Sequence, residues 1–363
     1  MGAGPRPDSV LWSVPADRDG VAGRGGILGA SPVTAPPLRY LAAADVVACM
    51  PGLDDRLRLA ERTLVGLATG AELPAKIGVH PRPADSFIHA MPAYLRGQAA
   101  TGSADLVGMK WVAGFPSNDL AGLPALHGLV VVNDPMTGIP LAIMDGGPIT
   151  SSRTAAVSGV AVGRWAPPVV DRPTRAAIVG AGVQGQAHVP VLGKLLPGVE
   201  LAVHDRQTDR AASVAAAAAG VPGVAGARAV ADAREAVADA DVVITCVSFG
   251  PVRQAMGSGW FAPNALIVAV DYATSIAADV ATGAGLFLTD ERGQLFANRD
   301  AGLFDGYPDP DATLGEAILA GTRRPGAGRV LVTHLGVGLA DLVFAEAILR
   351  VAEARGAGTL LPR

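Results

Sequence analysis

Lysine is nearly missing from this chain. Its 363 residues carry 29 basic side chains, yet only Lys76, Lys110 and Lys194 are lysines, so arginine supplies almost all the positive charge. Cysteine is scarcer still. Cys49 and Cys246 stand far apart and make no C-x-x-C or metal-ligand spacing, which excludes a disulfide-stapled scaffold and leaves no metal site to expect. Both read as small buried apolar residues in a reducing cytoplasm. Aromatics make up 4% of the chain, so its cores must be built mainly from Ala, Val and Leu. The formal charge is −4 and no basic run occurs, so nothing draws a nucleic-acid backbone or an anionic lipid surface. Gly, Pro or charge interrupts every apolar run short of the ~18 residues a membrane span needs. The expectation is a cytoplasmic globular protein with a small-molecule partner and neither nucleic acid nor membrane.

What is present is length and apolar content. Half the residues are hydrophobic, and at about 150 residues per domain the length suggests two domains. Residues 1–36, with glycines clustered between Gly20 and Gly29, read as a flexible arm or a clasping segment and not as a signal peptide. Leu57, Leu64 and Leu67 share one face of a helix over 54–67. Between Lys76 and Met144, short apolar or alternating runs at 86–90, 106–112, 128–132 and 141–144 are separated by turn signals such as Asn133-Asp134-Pro135. A helix of small residues is expected from Ser151 to Trp165. Apolar strands at 176–179, 201–203, 242–247, 266–270 and 286–288 then alternate with Ala-rich helices, the pattern of a doubly wound parallel sheet. The fold class is therefore α/β: a Rossmann-type sheet over 149–329 beside an α+β substrate-binding and dimerisation domain over 37–148. Residues 330–363 are expected to return to that first domain.

The strand at 176–179 runs into Gly180-Ala181-Gly182-Val183-Gln184-Gly185, a G-x-G-x-x-G loop that opens a helix. The first glycine permits the tight turn, the second lets backbone approach a pyrophosphate, and the third lets helix pack on strand. The helix N-terminus adds free N–H groups and a positive dipole end. Asp205, 25 residues after Gly180, ends the next strand, where a carboxylate accepts ribose hydroxyls and repels a 2′-phosphate. That favours NAD, while the adjacent Arg206 leaves NADP open. Thr154, Val183, Gln184, Thr245 and Val247 complete the expected cofactor contacts.

Several motifs in order resemble the ornithine cyclodeaminase/μ-crystallin family. They are Met91-Pro92-Ala93-Tyr94, Gly108-Met109-Lys110, Gly122-Leu123-Pro124, Asp134-Pro135-Met136-Thr137-Gly138-Ile139-Pro140, Ile149 to Ala156, and the glycine loop. The resemblance covers about Leu38 to Arg355. It implies a homodimer with one substrate domain and one Rossmann domain per subunit, acting on the C–N bond of amino or imino acids.

The residues speak to the same chemistry. A cation at Arg153, in the first turn of a helix capped by Thr150 or Ser151, opposes the helix dipole unless an anion sits there to be gripped by its fork. By resemblance Arg153 is a carboxylate clamp. Lys110 lies inside an apolar strand, where an ammonium needs an anion; the resemblance gives it substrate carboxylate or imine, and a buried structural ion pair is the alternative. Lys76 matches a position usually held by arginine, so it reads either as a second carboxylate contact or as a solvated surface lysine. Met91 and His89 fall in the substrate region, His89 where relatives often carry an acid. Lys194 resembles no site residue and is expected at the surface.

Two further positions depart from the family pattern. Alanine, at Ala273, stands where an acid/base aspartate is usual, and Asp271 is the nearest replacement. His334 stands where a serine is usual, and reads as a carboxamide contact, a proton donor near pH 7, or a structural histidine. The expected function is an NAD(P)H-dependent imino-acid reductase or amino-acid dehydrogenase. Lys110, Arg153 and Lys76 would hold the carboxylate, with Asp271 or His334 as proton donor. An ornithine or lysine cyclodeaminase reusing bound NAD, a non-catalytic NAD(P)H-binding protein, and a dehydrogenase of a secondary-amine adduct are the alternatives.

Overall fold

The computed structural model describes residues 35–97, 104–248 and 252–363. The arm expected over 1–36 lies outside them except for its last two residues. In chain order, β1 (Leu38–Leu41), α1 (Ala43–Ala48) and α2 (Leu53–Ala68) precede β2 (Ile77–Val79), β3 (Phe87–Leu95), β4 (Leu106–Gly114), β5 (Leu126–Asn133) and β6 (Pro140–Asp145). Next come α3 (Gly146–Trp165), β7 (Arg175–Val179), α4 (Val183–Leu195), β8 (Val199–His204), α5 (Thr208–Ala218), β9 (Val224–Ala229), α6 (Ala233–Val237) and β10 (Val242–Thr245). The last third holds β11 (Leu266–Ala269), α7 (Ala278–Thr282), β12 (Leu286–Thr289), α8 (Arg292–Asp300), β13 (Ala312–Thr313), α9 (Leu314–Leu319), β14 (Val330–Thr333), α10 (Gly338–Arg355) and β15 (Thr359–Leu361).

Alternating side chains build the first sheet, ordered β15-β1-β6-β5-β4-β3-β2, antiparallel except for the β1/β6 pair. Met91 and Ala93 of β3, Gly108 and Lys110 of β4, Val130 and Val132 of β5, and Ala142 and Met144 of β6 share its buried face. That face packs on α10, whose residues 338–345 are all buried, as a helix apolar on every side must be. Tyr40, Trp111 and Leu129 lie on the opposite face, each about two-fifths exposed.

The second sheet is wholly parallel, in the order β13-β12-β14-β11-β10-β7-β8-β9. Its central strands read VVIT, LIVA, LFLT and VLVT, buried at every residue, because helices cover both faces. Strand order reverses between β7 and β10, and in open α/β sheets the crevice at such a reversal, beyond the carboxyl ends of the strands, takes the ligand. No described helix is long and apolar enough to cross a membrane.

Several boundaries differ from the sequence reading. The helix expected from Ser151 begins at Gly146, because Asp145 accepts a hydrogen bond from the Gly147 N–H and caps it. The boundary expected at 148/149 therefore falls inside α3. β14 belongs to the second sheet, so the chain returns to the first only with α10 and β15. β3 continues through Met91-Pro92-Ala93-Tyr94 to Leu95, where proline had hidden the strand. Cys49 is buried, but Cys246 is only half-buried at the crevice, its thiol donating to the Gly180 carbonyl.

Candidate active site

The glycine loop joins β7 to α4 at the crevice. Gly180 has φ +105°, and a Cβ there would lie 2.6 Å from the Cys246 carbonyl oxygen and 2.9 Å from the Val247 nitrogen. At Gly185 a Cβ would meet the Gly180 oxygen at 2.1 Å, so helix and turn can pack only without side chains at either place. Among the described residues, Gly182 has nothing within 4 Å of its missing Cβ, and it caps α4 with no side-chain acceptor for the first N–H groups. The buried Oε1 of Gln184 has no partner among the described residues, Val183 is exposed, and Thr245 lies buried at the end of β10. Asp205 accepts from the Ala181 N–H at 2.7 Å and from the Gln207 N–H at 2.9 Å, which fixes the carboxylate beside the loop; Arg206 is exposed. Open space, unclaimed N–H donors and an acid at the second strand together fit a dinucleotide.

Across the crevice, three cations converge. Lys110 projects from β4 with 2% exposure, opposite Met91 in the strand register. Its ammonium donates to Asp341 Oδ1 at 2.9 Å and to Thr150 Oγ1 at 2.7 Å. Arg153 Nε donates to the same Asp341 Oδ1 at 3.2 Å, and the Arg153 guanidinium lies against Gly336, where a Cβ would come within 2.7 Å of Nη1. Asp341 is fully buried in the first turn of α10, and its Oδ2 has no hydrogen-bond partner among the described residues. Although burial works against it, the Arg153 and Lys110 charges hold this carboxyl below the usual carboxylate range. Burial lowers Lys110 to about 8 despite the attraction of Asp341, with Arg153 adding to the decrease.

Lys76, just before β2, is half-buried. It donates to the Tyr272 hydroxyl and to the Leu335 carbonyl, the latter at 3.0 Å, so its ammonium is not a solvated surface charge. Nearby, Asp290 accepts from the Gly336 N–H at 2.8 Å, and its complete burial pushes its pKa up. Among the described residues, Lys110, Arg153 and Lys76 thus share this region with two buried carboxylates, Asp341 and Asp290. By formal charge the cluster is one anion short.

Arg153 sits well past the first turn of α3, because the helix begins earlier than the sequence suggested. Its locally unfavourable dipole position was thus a misreading, and the buried Asp341 explains its placement instead. Sequence reasoning missed Asp341. The available signal was a lone acid within Gly338 to Ala345, an apolar run that leaves no solvent for a carboxylate. Lys194 lies outside the site, half-exposed and paired with Asp54 at 3.0 Å.

The ornithine cyclodeaminase/mu-crystallin family model matches residues 42–289. This chain belongs to that family. It is 34% identical over 335 residues to the nodulation efficiency protein NfeD of Rhizobium meliloti, covering 90% of this chain and 98% of that one. Ketimine reductase mu-crystallin of Mus musculus is 28% identical over 266 residues, covering 72% of this chain and 79% of its own. Among solved structures, Thermococcus litoralis Delta(1)-pyrroline-2-carboxylate reductase in complex with NADH and L-proline shares the fold. The TM-score is 0.77 at 24% identity, over 89% of this chain and 100% of that one.

His89, His334 and Asp271, the acid nearest to Ala273, now have a setting. His89 stacks on Phe87 with ring centroids 4.4 Å apart, and burial together with the Lys76 charge lowers it to about 4. Asp271 is 2% exposed and turned inwards, accepting the Ser275 hydroxyl at 2.7 Å, and burial raises its pKa. His334 is 2% exposed, its Nε2 2.8 Å from Ser158 Oγ, which lies 2.8 Å from His188 Nε2. His188 Nδ1 must donate to the Gln184 carbonyl, so its Nε2 accepts the Ser158 proton and Ser158 accepts from His334. Burial lowers His334 to about 3 and His188 to about 4. The reading of His334 as a proton donor near pH 7 is corrected: the imidazole is neutral there because its desolvated cation would lie beside Arg153.

Proposed function

We propose that this protein is an NAD(P)H-dependent reductase of a small imino acid, working in reverse as an amino-acid dehydrogenase. One observation carries the reading: Lys110, Arg153 and Lys76 converge at the carboxyl edge of the parallel sheet with two buried carboxylates, Asp341 and Asp290, among them. An α-carboxylate supplies the missing anion. Arg153 and Lys110 hold it, and their fixed geometry aligns the adjoining imine carbon, so catalysis comes chiefly from orientation and electrostatics. The bound nicotinamide supplies or accepts a hydride. Gly180, Gly182 and Gly185 admit its pyrophosphate, with Val183, Gln184, Thr154, Thr245 and Val247 around it. Asp205 takes the ribose and favours NAD over NADP.

The test is NADH oxidation with a panel of cyclic and acyclic α-imino acids, followed by NAD with ornithine or lysine. Stoichiometric NADH loss with amine formed is expected. Ammonia release from a diamino acid without net NADH change would overturn the reading in favour of cyclodeamination, and tight NADH binding with no turnover in favour of a binding protein. Because carboxylate capture needs a charged Lys110, kcat/KM should fall as pH rises through about 8.

The outer face of the first sheet, with Tyr40, Trp111 and Leu129 exposed, fits a homodimer. Sedimentation should give twice the 36.5 kDa chain mass, and Trp111→Glu should shift it to the single-chain value. A monomeric parent protein would remove this assignment.

A further inference from the structure

The residues expected to move the proton are unsuited to it. His334 is buried against Ser158 and held neutral, and Asp271 is turned into the protein with its carboxylate on Ser275. Lys110 must keep its proton to balance Asp341. The Tyr272 hydroxyl lies beside the same cation cluster, bonded to Lys76.

We propose that Tyr272 is the catalytic proton donor, with Lys76 as its positioning residue. The Tyr272 hydroxyl donates to the Leu335 carbonyl at 2.7 Å and accepts from the Lys76 ammonium, which also binds Leu335. Leu335 adjoins Gly336, against which the Arg153 guanidinium packs, so the phenol lies one residue along the chain from the carboxylate clamp. Lys76 also acts electrostatically on Lys110 and Asp290, which places the pair within the same cluster. The backbone supports the assignment independently. Tyr272 and Ala273 are consecutive non-glycine residues in the left-handed region, at φ +53° and +57°. Such strain persists where the surroundings hold a side chain in a required direction, as active sites do.

This inference rests on the imino-acid reductase reading and gives its proton step. As the imine carbon gains a hydride from the reduced nicotinamide, the C=N π pair moves to nitrogen. Nitrogen takes the phenolic proton, so the Tyr272 O–H bond breaks and an N–H bond forms. The phenolate is held by the Lys76 N–H and is reprotonated from solvent. In the reverse direction the amine returns its proton to the phenolate as the hydride leaves.

The experiment compares the parent protein with Tyr272→Phe, Lys76→Met and Lys76→Arg. Tyr272→Phe should lose about 10²–10⁴-fold in kcat on the imino acid that the parent reduces best, the range for a removed general acid, with KM held within a few-fold. Small buffer acids should rescue that rate in proportion to their concentration, which a purely structural role would not allow. NADH binding, read by fluorescence quenching, should be unchanged. Lys76→Met should lose kcat as well, and Lys76→Arg should regain most of it. An active parent with an equally active Tyr272→Phe overturns the dyad and leaves the functional reading standing. A parent inactive with every imino acid and amino acid overturns both. If Tyr272→Phe does not fold, Lys76→Met decides: undiminished kcat overturns the dyad, and loss with recovery in Lys76→Arg upholds it.

Discussion

Asp341→Ala should destabilise the protein by about 3–5 kcal/mol, the cost of breaking a buried ion pair from one side. Asp341 Oδ1 receives both Lys110 and Arg153, neither of which is more than 7% exposed. Removing the carboxylate leaves two desolvated cations facing each other. The measurement is urea unfolding at pH 7, where the midpoint should fall with the slope unchanged. The lowered pKa of Lys110 makes this loss depend on pH. Its folded value, about 8, lies below its unfolded value, so its contribution is present above the unfolded pKa and lost as pH falls through the folded one. Without Asp341 the folded value drops further. The variant should therefore regain stability as pH rises, starting below pH 8. A loss under 1 kcal/mol at pH 7 would show that water reaches the pair and that its burial is not decisive.

Arg153→Ala should raise KM for the imino acid about 10²–10³-fold, because a fork that grips a desolvated carboxylate is worth about 2–5 kcal/mol. NADH affinity should stay within a few-fold. Arg153→Lys should not restore the loss, since a point ammonium cannot make the parallel pair of hydrogen bonds and its shorter reach leaves Asp341 underpaired. Steady-state kinetics with separate NADH titrations tests this. Unchanged KM in Arg153→Ala would remove Arg153 from the substrate site and leave it as a structural partner of Asp341.

These two predictions meet at one carboxylate, and that is where the sequence was least legible. The strands of the parallel sheet could be read because burial on both faces leaves only apolar residues. The glycine loop could be read because each glycine answers a local steric demand, now seen as the 2.1–2.9 Å approaches that a Cβ would make at Gly180 and Gly185. The helix start before Arg153 could not, because Asp145 caps it through a residue that also ends a strand. Pro92 likewise sits in β3 against local preference, tolerated where the strand is held by its neighbours.

By itself, then, the sequence determined the α/β class, the dinucleotide loop and the presence of Lys110 and Arg153 among apolar neighbours, because periodicity and steric rules act over a few residues. Only the tertiary structure decided their partners. It brought Asp341 from α10 to both cations, joined Lys76 to Tyr272, and closed His334 against Ser158 and His188. Those contacts join groups up to 231 residues apart in the chain, and hydrogen bonding and desolvation at such separations leave no local pattern to read.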